Sequence, residues 1–288
     1  MKLKIGIDVG GTFTDFLVTQ SGADPRVFKV LSTPADPSIG LIQGLQEVAA
    51  SMGVSVRELA RSIETIVHGT TVTTNAVLTH TGAKTGLLTT HGVRDALEMR
   101  RGVREEQYDN RYTNVPPLVP RYLRRPVRGR LDYRGDTLEP LNTDDVREAL
   151  RLFREEKLEA VAICFMNSFA NGEHEQQAAE LVRQQLPEVY LTVSAEFLPS
   201  IRFYDRVSST VLNSYVGPKL STYVDHLRAR LREIQFGGVL LIMQSNGGVM
   251  SPEVAHRSPA RTLLSGPAAG PEAGLAYVRA HGYASCIT

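Results

Sequence analysis

The chain has 288 residues, with 32 Lys and Arg against 31 Asp and Glu, a formal charge of +1. That balance removes any bulk electrostatic attraction to nucleic acid or an anionic membrane surface, and no apolar run approaches the roughly 18 residues of a membrane span. With 42% apolar and 22% charged residues, it reads as a soluble globular protein with a sizeable core, built as two domains or as one with a large insertion.

Residues 4–9 alternate polar and apolar, a strand signal, and residues 16–19 repeat it after a Gly-Gly turn, which makes a hairpin. Residues 37–50 carry apolar side chains at helical spacing, opened by Asp36-Pro37 as N-cap and first position. Strands are predicted at 65–67 and 85–89, with a helix from Thr71 to His80 between them. Residues 99–136 break the rhythm with arginines, prolines and four tyrosines; an irregular excursion of that length is usually functional or disordered. Its run from Arg121 to Arg130 alternates with Pro, Gly and apolar residues, which suits a solvated loop or strand edge better than a nucleic-acid patch.

Alternation then resumes. Asn142 caps a helix reaching about Lys157, a strand covers 160–165, a helix opens at 171–173 and runs to 186, and a strand covers 189–193. Residues 204–234 form a long helical tract with a buried apolar stripe, interrupted near Gly217-Pro218. A strand at 239–243, a helix at 266–281 and the start of a strand at 284–287 complete an α/β pattern that opens with a hairpin. The two cysteines, Cys164 and Cys286, are 122 residues apart and form no CxxC, so a reduced, cytoplasmic compartment is expected. Cys164 sits in an apolar run and reads as a small hydrophobe.

The strongest chemical signal is Gly6-Ile7-Asp8-Val9-Gly10-Gly11-Thr12-Phe13-Thr14-Asp15. Glycines allow positive φ and let backbone N–H groups approach a polyphosphate without a Cβ clash. Thr12 and Thr14 can donate to phosphate oxygens, and Asp8 at a strand end can hold hydrated Mg²⁺. A P-loop would need a lysine and a following helix, and a dinucleotide fingerprint would also need that helix; here a strand follows.

Three further stretches stand out. His68-Gly69-Thr70-Thr71-Val72-Thr73-Thr74-Asn75 sets a strand against a helix start rich in hydroxyls, suited to an anion or to ordinary capping. His68 reads equally as a structural histidine or a general base. Gln244-Ser245-Asn246-Gly247-Gly248 follows a hydrophobic strand and is either a ligand-facing strand end or an Asn-Gly turn. Leu264-Ser265-Gly266-Pro267-Ala268-Ala269-Gly270 opens a helix rich in small residues. In the excursion, Arg100 and Arg101 offer a guanidinium pair suited to a carboxylate or phosphate.

The first decapeptide resembles the first phosphate motif of the actin-like ATPase and sugar-kinase superfamily. All four stretches together, in this order, resemble the hydantoinase A / 5-oxoprolinase family of ATP-dependent enzymes that open cyclic amides. The resemblance implies an actin-like (ribonuclease H-like) ATPase lobe, with an N-terminal region over 1–200 that contains an inserted α/β part from about residue 84. A core would start at 201–288 and stop short of a second phosphate hairpin. It implies ATP and Mg²⁺ as cofactors, with Asp8 in the metal shell and Gly10, Gly11, Thr12 and Thr14 around the phosphates. Asp15 would orient the turn or the metal waters, and Thr71 and Asn75 would face the reacting group. Substrate contacts would come from His68, Thr70, Thr74, Arg100, Arg101, Ser245 and Asn246. The expected partners are a cyclic amide, a missing C-terminal lobe and a second, hydantoinase B-like subunit in an oligomer. The related ketone carboxylases share these motifs, and a non-catalytic nucleotide-binding subunit is the third reading.

Overall fold

The computed structural model describes residues 2–287. They fold as two compact units: one runs to Thr79 and resumes at Lys219, and the other is His80–Pro218.

The first unit opens with β1 (Leu3–Val9) and β2 (Phe13–Gln20), an antiparallel hairpin in which Asp8 faces Asp15 and Val9 faces Thr14. Leu3, Ile5, Ile7 and Val9 are buried while Lys4 and Asp8 are exposed, so the period-2 alternation of the sequence is the burial pattern of the strand. A third strand, β3 (Ala23–Leu31), pairs antiparallel with β2; it lies outside the expected elements, because residues exposed on both faces mask its alternation. Helix α1 (Pro37–Ser51) begins where predicted, with Asp36 accepting from the Ser38 N–H at 3.1 Å and Pro37 at the first position. Helix α2 (Val56–Ser62), opened by a Ser55/Glu58 capping box, precedes β4 (Ile63–Thr70) and α3 (Val72–Leu78).

The second unit contains β5 (Thr85–Thr90), the short α4 (Ala96–Met99), β6 (Arg124–Val127), a small ribbon of β7 (Arg130–Leu131) and β8 (Thr137–Glu139), α5 (Thr143–Glu155), β9 (Ala160–Cys164), α6 (Glu173–Gln185), β10 (Tyr190–Val193) and α7 (Ser194–Phe197). Its four-stranded sheet has the order β10-β9-β5-β6, and every pair in it is parallel. Strand β6 lies inside the excursion and edges this sheet, as the alternating arginine run suggested.

Helix α8 (Phe203–Glu233) is continuous through Gly217-Pro218, which corrects the expected interruption. Val207, Val211, Val216, Leu220, Val224, Leu227 and Leu231 are all buried along it, and tertiary packing of such a stripe outweighs the local cost of a proline. Gly217 has its own reason: a Cβ there would stand 2.4 Å from the Tyr190 ring.

The chain then returns to the first unit with β11 (Val239–Met243), β12 (Val249–Met250), α9 (Pro252–Arg257) and α10 (Ser265–Ala280). The completed sheet has the order β12-β11-β4-β1-β2-β3. Strands β1, β2 and β3 are antiparallel neighbours, while β4 and β11 run parallel to β1, the arrangement of a ribonuclease H-like, actin-like lobe. The strand expected at 284–287 does not form: among the described residues nothing pairs with it, and a strand without a hydrogen-bonded neighbour has no ladder to join. No helix among the described residues is long and apolar enough to cross a membrane.

Candidate functional site

Parallel strands set their carboxyl ends on one edge of a sheet, and that edge is where α/β folds place ligands. In the first unit β1 ends at Val9, β4 at Thr70 and β11 at Met243, with Val9 beside Thr70 and Ile242 beside His68. Each of the first three sequence motifs begins at one of these ends. The fourth joins them through the Leu264 N–H, which donates to Thr74 Oγ1 at 3.1 Å, and through Ser265 Oγ, which donates to the Thr70 carbonyl at 3.4 Å. Motifs separated by up to 250 positions thus meet at one edge.

The hairpin turn is clamped from beneath by Ser32. Its Oγ donates to the Gly10 carbonyl at 2.8 Å, its N–H donates to the Thr12 carbonyl at 2.9 Å, and the fully buried Thr14 hydroxyl lies 3.0 Å from the same Oγ. Thr14 therefore fixes the turn from inside, while Thr12 is exposed. Neither Gly10 nor Gly11 has a positive φ, so the expected use of glycine's left-handed freedom is corrected. The glycines serve by size: a Cβ on Gly10 would come within 3.1 Å of the Phe13 carbonyl, and one on Gly11 would point into open space. Gly10 N–H bonds to Phe13 O at 3.0 Å, whereas the N–H groups of Gly11 and Thr12 have no partner among the described residues. Two free donors over an uncovered backbone make an anion seat.

Asp8 stands beside that seat. A Cβ on Gly69 would lie 2.9 Å from Asp8 Oδ1, so glycine is what lets the carboxylate sit against β4. Burial, and then the charge of Asp15 opposite, raise the Asp8 pKa above the ordinary carboxylate value. Asp15 is neutralised by Lys29 at 3.0 Å, but Asp8 has no cationic partner among the described residues. No group of three or more His, Cys, Asp or Glu gathers among them either. A lone carboxylate next to an anion seat is the donor set that hydrated Mg²⁺ accepts, with water and phosphate oxygens completing its shell.

The threonines of the second motif are more internal than a row of free hydroxyls. Thr71 donates through both N–H (3.3 Å) and Oγ1 (3.2 Å) to the Val9 carbonyl, tying α3 to the end of β1, and accepts from Asn75 Nδ2 at 3.2 Å. Thr73 and Thr262 share a buried hydroxyl contact at 2.8 Å. Asn75 is exposed on α3. His68 is fully buried, its Nε2 2.7 Å from the Tyr223 hydroxyl, and burial pushes its pKa down to about 4, so the ring is neutral. In this structure its ring has no open face toward the edge. Tyr223, Ser32 and Thr262 are the supporting residues that the sequence did not disclose; each lies far from the motif it holds.

Ser245 and Asn246 occupy a tight turn between β11 and β12: Ser245 N–H reaches the Arg261 carbonyl at 2.7 Å, Asn246 Oδ1 accepts from Gly248 N–H at 2.9 Å, and Gly247 has φ 81°. The Asn-Gly turn and the strand-end position, alternatives in the sequence, are both realised. Arg100 and Arg101 belong to the second unit, where Arg100 pairs with Glu105 and Arg101 with Asp205.

Residues 4–186 match the family described as hydantoinase/oxoprolinase N-terminal region, and residues 206–288 match hydantoinase/oxoprolinase. Over its whole length the chain is 38% identical to the caprolactamase subunit alpha of Pseudomonas jessenii, covering 42% of that protein. It is 32% identical to the acetophenone carboxylase gamma subunit of Aromatoleum aromaticum over 93% of the chain and 38% of the relative. The crystal structure of the ATP-dependent caprolactamase from P. jessenii superposes with a TM-score of 0.89 over 97% of the chain and 41% of that structure, at 38% identity. A nucleotide-free acetone carboxylase structure superposes with a TM-score of 0.87 at 29% identity, over 97% of the chain and 41% of that structure. The chain thus spans about two-fifths of the length of these relatives.

Proposed function

The chain belongs to the hydantoinase/oxoprolinase family, and on that premise we propose that it supplies the ATP-binding lobe of an enzyme that opens a cyclic amide by phosphorylating the amide oxygen. The observation that carries this reading is the unpaired Asp8 carboxylate beside the free N–H groups of Gly11 and Thr12, at the edge where all four motifs meet. An amide resists water because its carbonyl is resonance-stabilised and its nitrogen leaves badly. Transfer of the γ-phosphoryl group to the oxygen removes the first obstacle: the P–O bond to ADP breaks as the bond to the amide oxygen forms. Water then adds to the carbon, the C–N bond breaks as the nitrogen takes up a proton and the ring opens, and a second water hydrolyses the resulting acyl phosphate to a carboxylate and phosphate.

The chain's own residues do the positioning. Backbone donors at Gly11 and Thr12 hold phosphate charge, Ser32 and Thr14 keep that turn rigid, and Thr71 locks the head of α3 against β1. Mg²⁺ at Asp8 would offset phosphate charge during transfer. Thr12 and Asn75 are exposed at the same edge, and Thr12 and the amide oxygen of Asn75 are the groups offered to the reacting atoms.

The likeness to ketone carboxylase subunits supports a second reading, in which the same ATP site activates a ketone or bicarbonate for carbon–carbon bond formation. Further chain beyond this lobe and a second subunit are part of either proposal. Phosphate release by the full-length assembly with 5-oxoproline, hydantoin, ε-caprolactam, or a ketone plus bicarbonate separates them. Stimulation by a lactam alone supports the first reading, stimulation only by ketone with bicarbonate the second. Undiminished turnover in Asp8→Ala would overturn both.

A further inference from the structure

The second unit has a parallel sheet of its own. All four strands of its sheet are parallel, and the spatial order β10-β9-β5-β6 means that the chain builds outward from β5 on one side and then returns to the other. In such sheets the carboxyl ends around the strand where the order reverses form a crevice. A cavity of about 600 Å³ lies there, against the residues that follow β5 and against Pro126 of β6. That volume is within the range of small-molecule sites, roughly 300–1,000 Å³.

Its walls are mostly apolar, formed by Val93, Met99, Pro126 and Phe203. His91, Arg94, Asp95 and Arg100 form its polar wall. Arg94 lines the cavity, and its nearest carboxylate oxygen, on Asp95, is 3.8 Å away. Asp95 is already committed: Arg121 holds it with two bonds of 3.0 Å, and Arg124 approaches it at 3.5 Å. Arg94 makes no hydrogen bond among the described residues. Arg100, also in the wall, pairs with Glu105, to which Tyr112 donates as well, so its charge is largely offset. Its backbone, at φ 54° and ψ −125°, is in a region that non-glycine residues rarely occupy, the kind of local strain that gathers at functional sites.

We infer that this cavity binds a small organic carboxylate with an apolar body. The guanidinium of Arg94 offers a planar fork of donors matched to a carboxylate, and the four apolar walls would cover the remainder of the ligand. An amine would meet Arg94 with like charge, while the Asp95 carboxylate in the wall is already held by Arg121 and Arg124. Inorganic phosphate would gain one guanidinium and lose solvation against apolar walls. Because every residue involved belongs to the second unit, the inference stands or falls separately from the ATP reading.

The test uses the 288-residue chain with hexanoate as probe, hexanamide as its neutral isostere and inorganic phosphate as the bare anion, followed by calorimetry and by amide shifts of Gly92 and Val93. Hexanoate is expected to bind saturably with a dissociation constant of about 1 mM, perturbing those amides, and hexanamide at least about tenfold more weakly. Arg94→Gln, on a partly exposed side chain, should keep the circular dichroism of the parent and lose at least about tenfold in hexanoate affinity, with Arg94→Lys recovering only part of it. Absence of saturable hexanoate binding, affinity unchanged in Arg94→Gln, or tighter binding of phosphate than of hexanoate would each overturn the assignment.

Discussion

Two carboxylates, one in each unit, differ in what surrounds them. Asp8 and Glu175 both have their pKa raised by burial first. Glu175, wholly inside the second unit, accepts from Ser168 Oγ and Ser194 Oγ, each at 2.6 Å, and from the Phe165 and Ala195 N–H groups, each at 2.7 Å. These four bonds join the ends of β9 and β10 to the segments that follow them. Nearby, the fully buried Arg206 donates to the Phe165 carbonyl at 2.5 Å and Cys164 has its thiol pushed up to about 12 by burial, so this interior is inert. Asp8, by contrast, has an acidic neighbour and, among the described residues, no donor of its own. A carboxylate saturated by its fold is a fastener; one left unsaturated at a strand end is available to a ligand.

The sharpest break in that contrast would come from Glu175→Leu. Four buried donors would lose their acceptor, and we expect a loss of about 3–5 kcal/mol in urea unfolding, with Glu175→Gln recovering part of it. A cost under about 1 kcal/mol would show that Glu175 is not a fastener. Asp8→Asn should do the reverse. Since the folded state raises the Asp8 pKa, its ionised form opposes folding at neutral pH, so the amide should melt no lower than the parent while Mg-dependent ATP hydrolysis by the full assembly falls about a hundredfold.

His68 gives the first unit an acid limit. Burial holds its pKa at about 4, below the 6.5 of a free imidazole, so the neutral ring's contribution is complete above pH 6.5 and is lost as pH falls toward 4. Between pH 7 and 5 this should remove about 2 kcal/mol, measured by denaturant titration, and His68→Gln should flatten that slope. The glycines give the smallest effects and the finest discrimination. Gly69→Ala places a Cβ against Asp8 Oδ1 and should raise the Mg²⁺ requirement of ATP hydrolysis about tenfold. Gly11→Ala meets no atom within 4 Å and should leave the melting temperature unchanged while raising the KM for ATP. An unchanged KM would show that phosphate does not approach that backbone.

The legible parts of this fold were those with a local cause. Alternation in residues 4–9, the Asp36-Pro37 cap and the stripe along 204–234 each rest on neighbours within a few positions, and each formed. Strand β3 and helix α2 were missed because the former exposes both faces and the latter is seven residues long with only Leu59 and Ala60 buried. The continuity of α8 through Pro218 was missed because its cause is packing against residues remote in sequence.

For the candidate site the division is similar. Asp8, Gly10, Gly11, the threonines after His68 and the turn at Gln244–Gly248 were visible as motifs, since their residue types are unusual for plain hairpins and helix starts. The sequence by itself determined which residues are chemically equipped and that four stretches belong together. Only the tertiary structure decided which of them are available: Thr14 and His68 are spent on Ser32 and Tyr223, Arg100 and Arg101 on carboxylates of the second unit, and Asp8 on nothing. The reason is that a side chain's identity fixes what bonds it can make, whereas the partners that consume those bonds arrive from strands and helices up to 155 positions away.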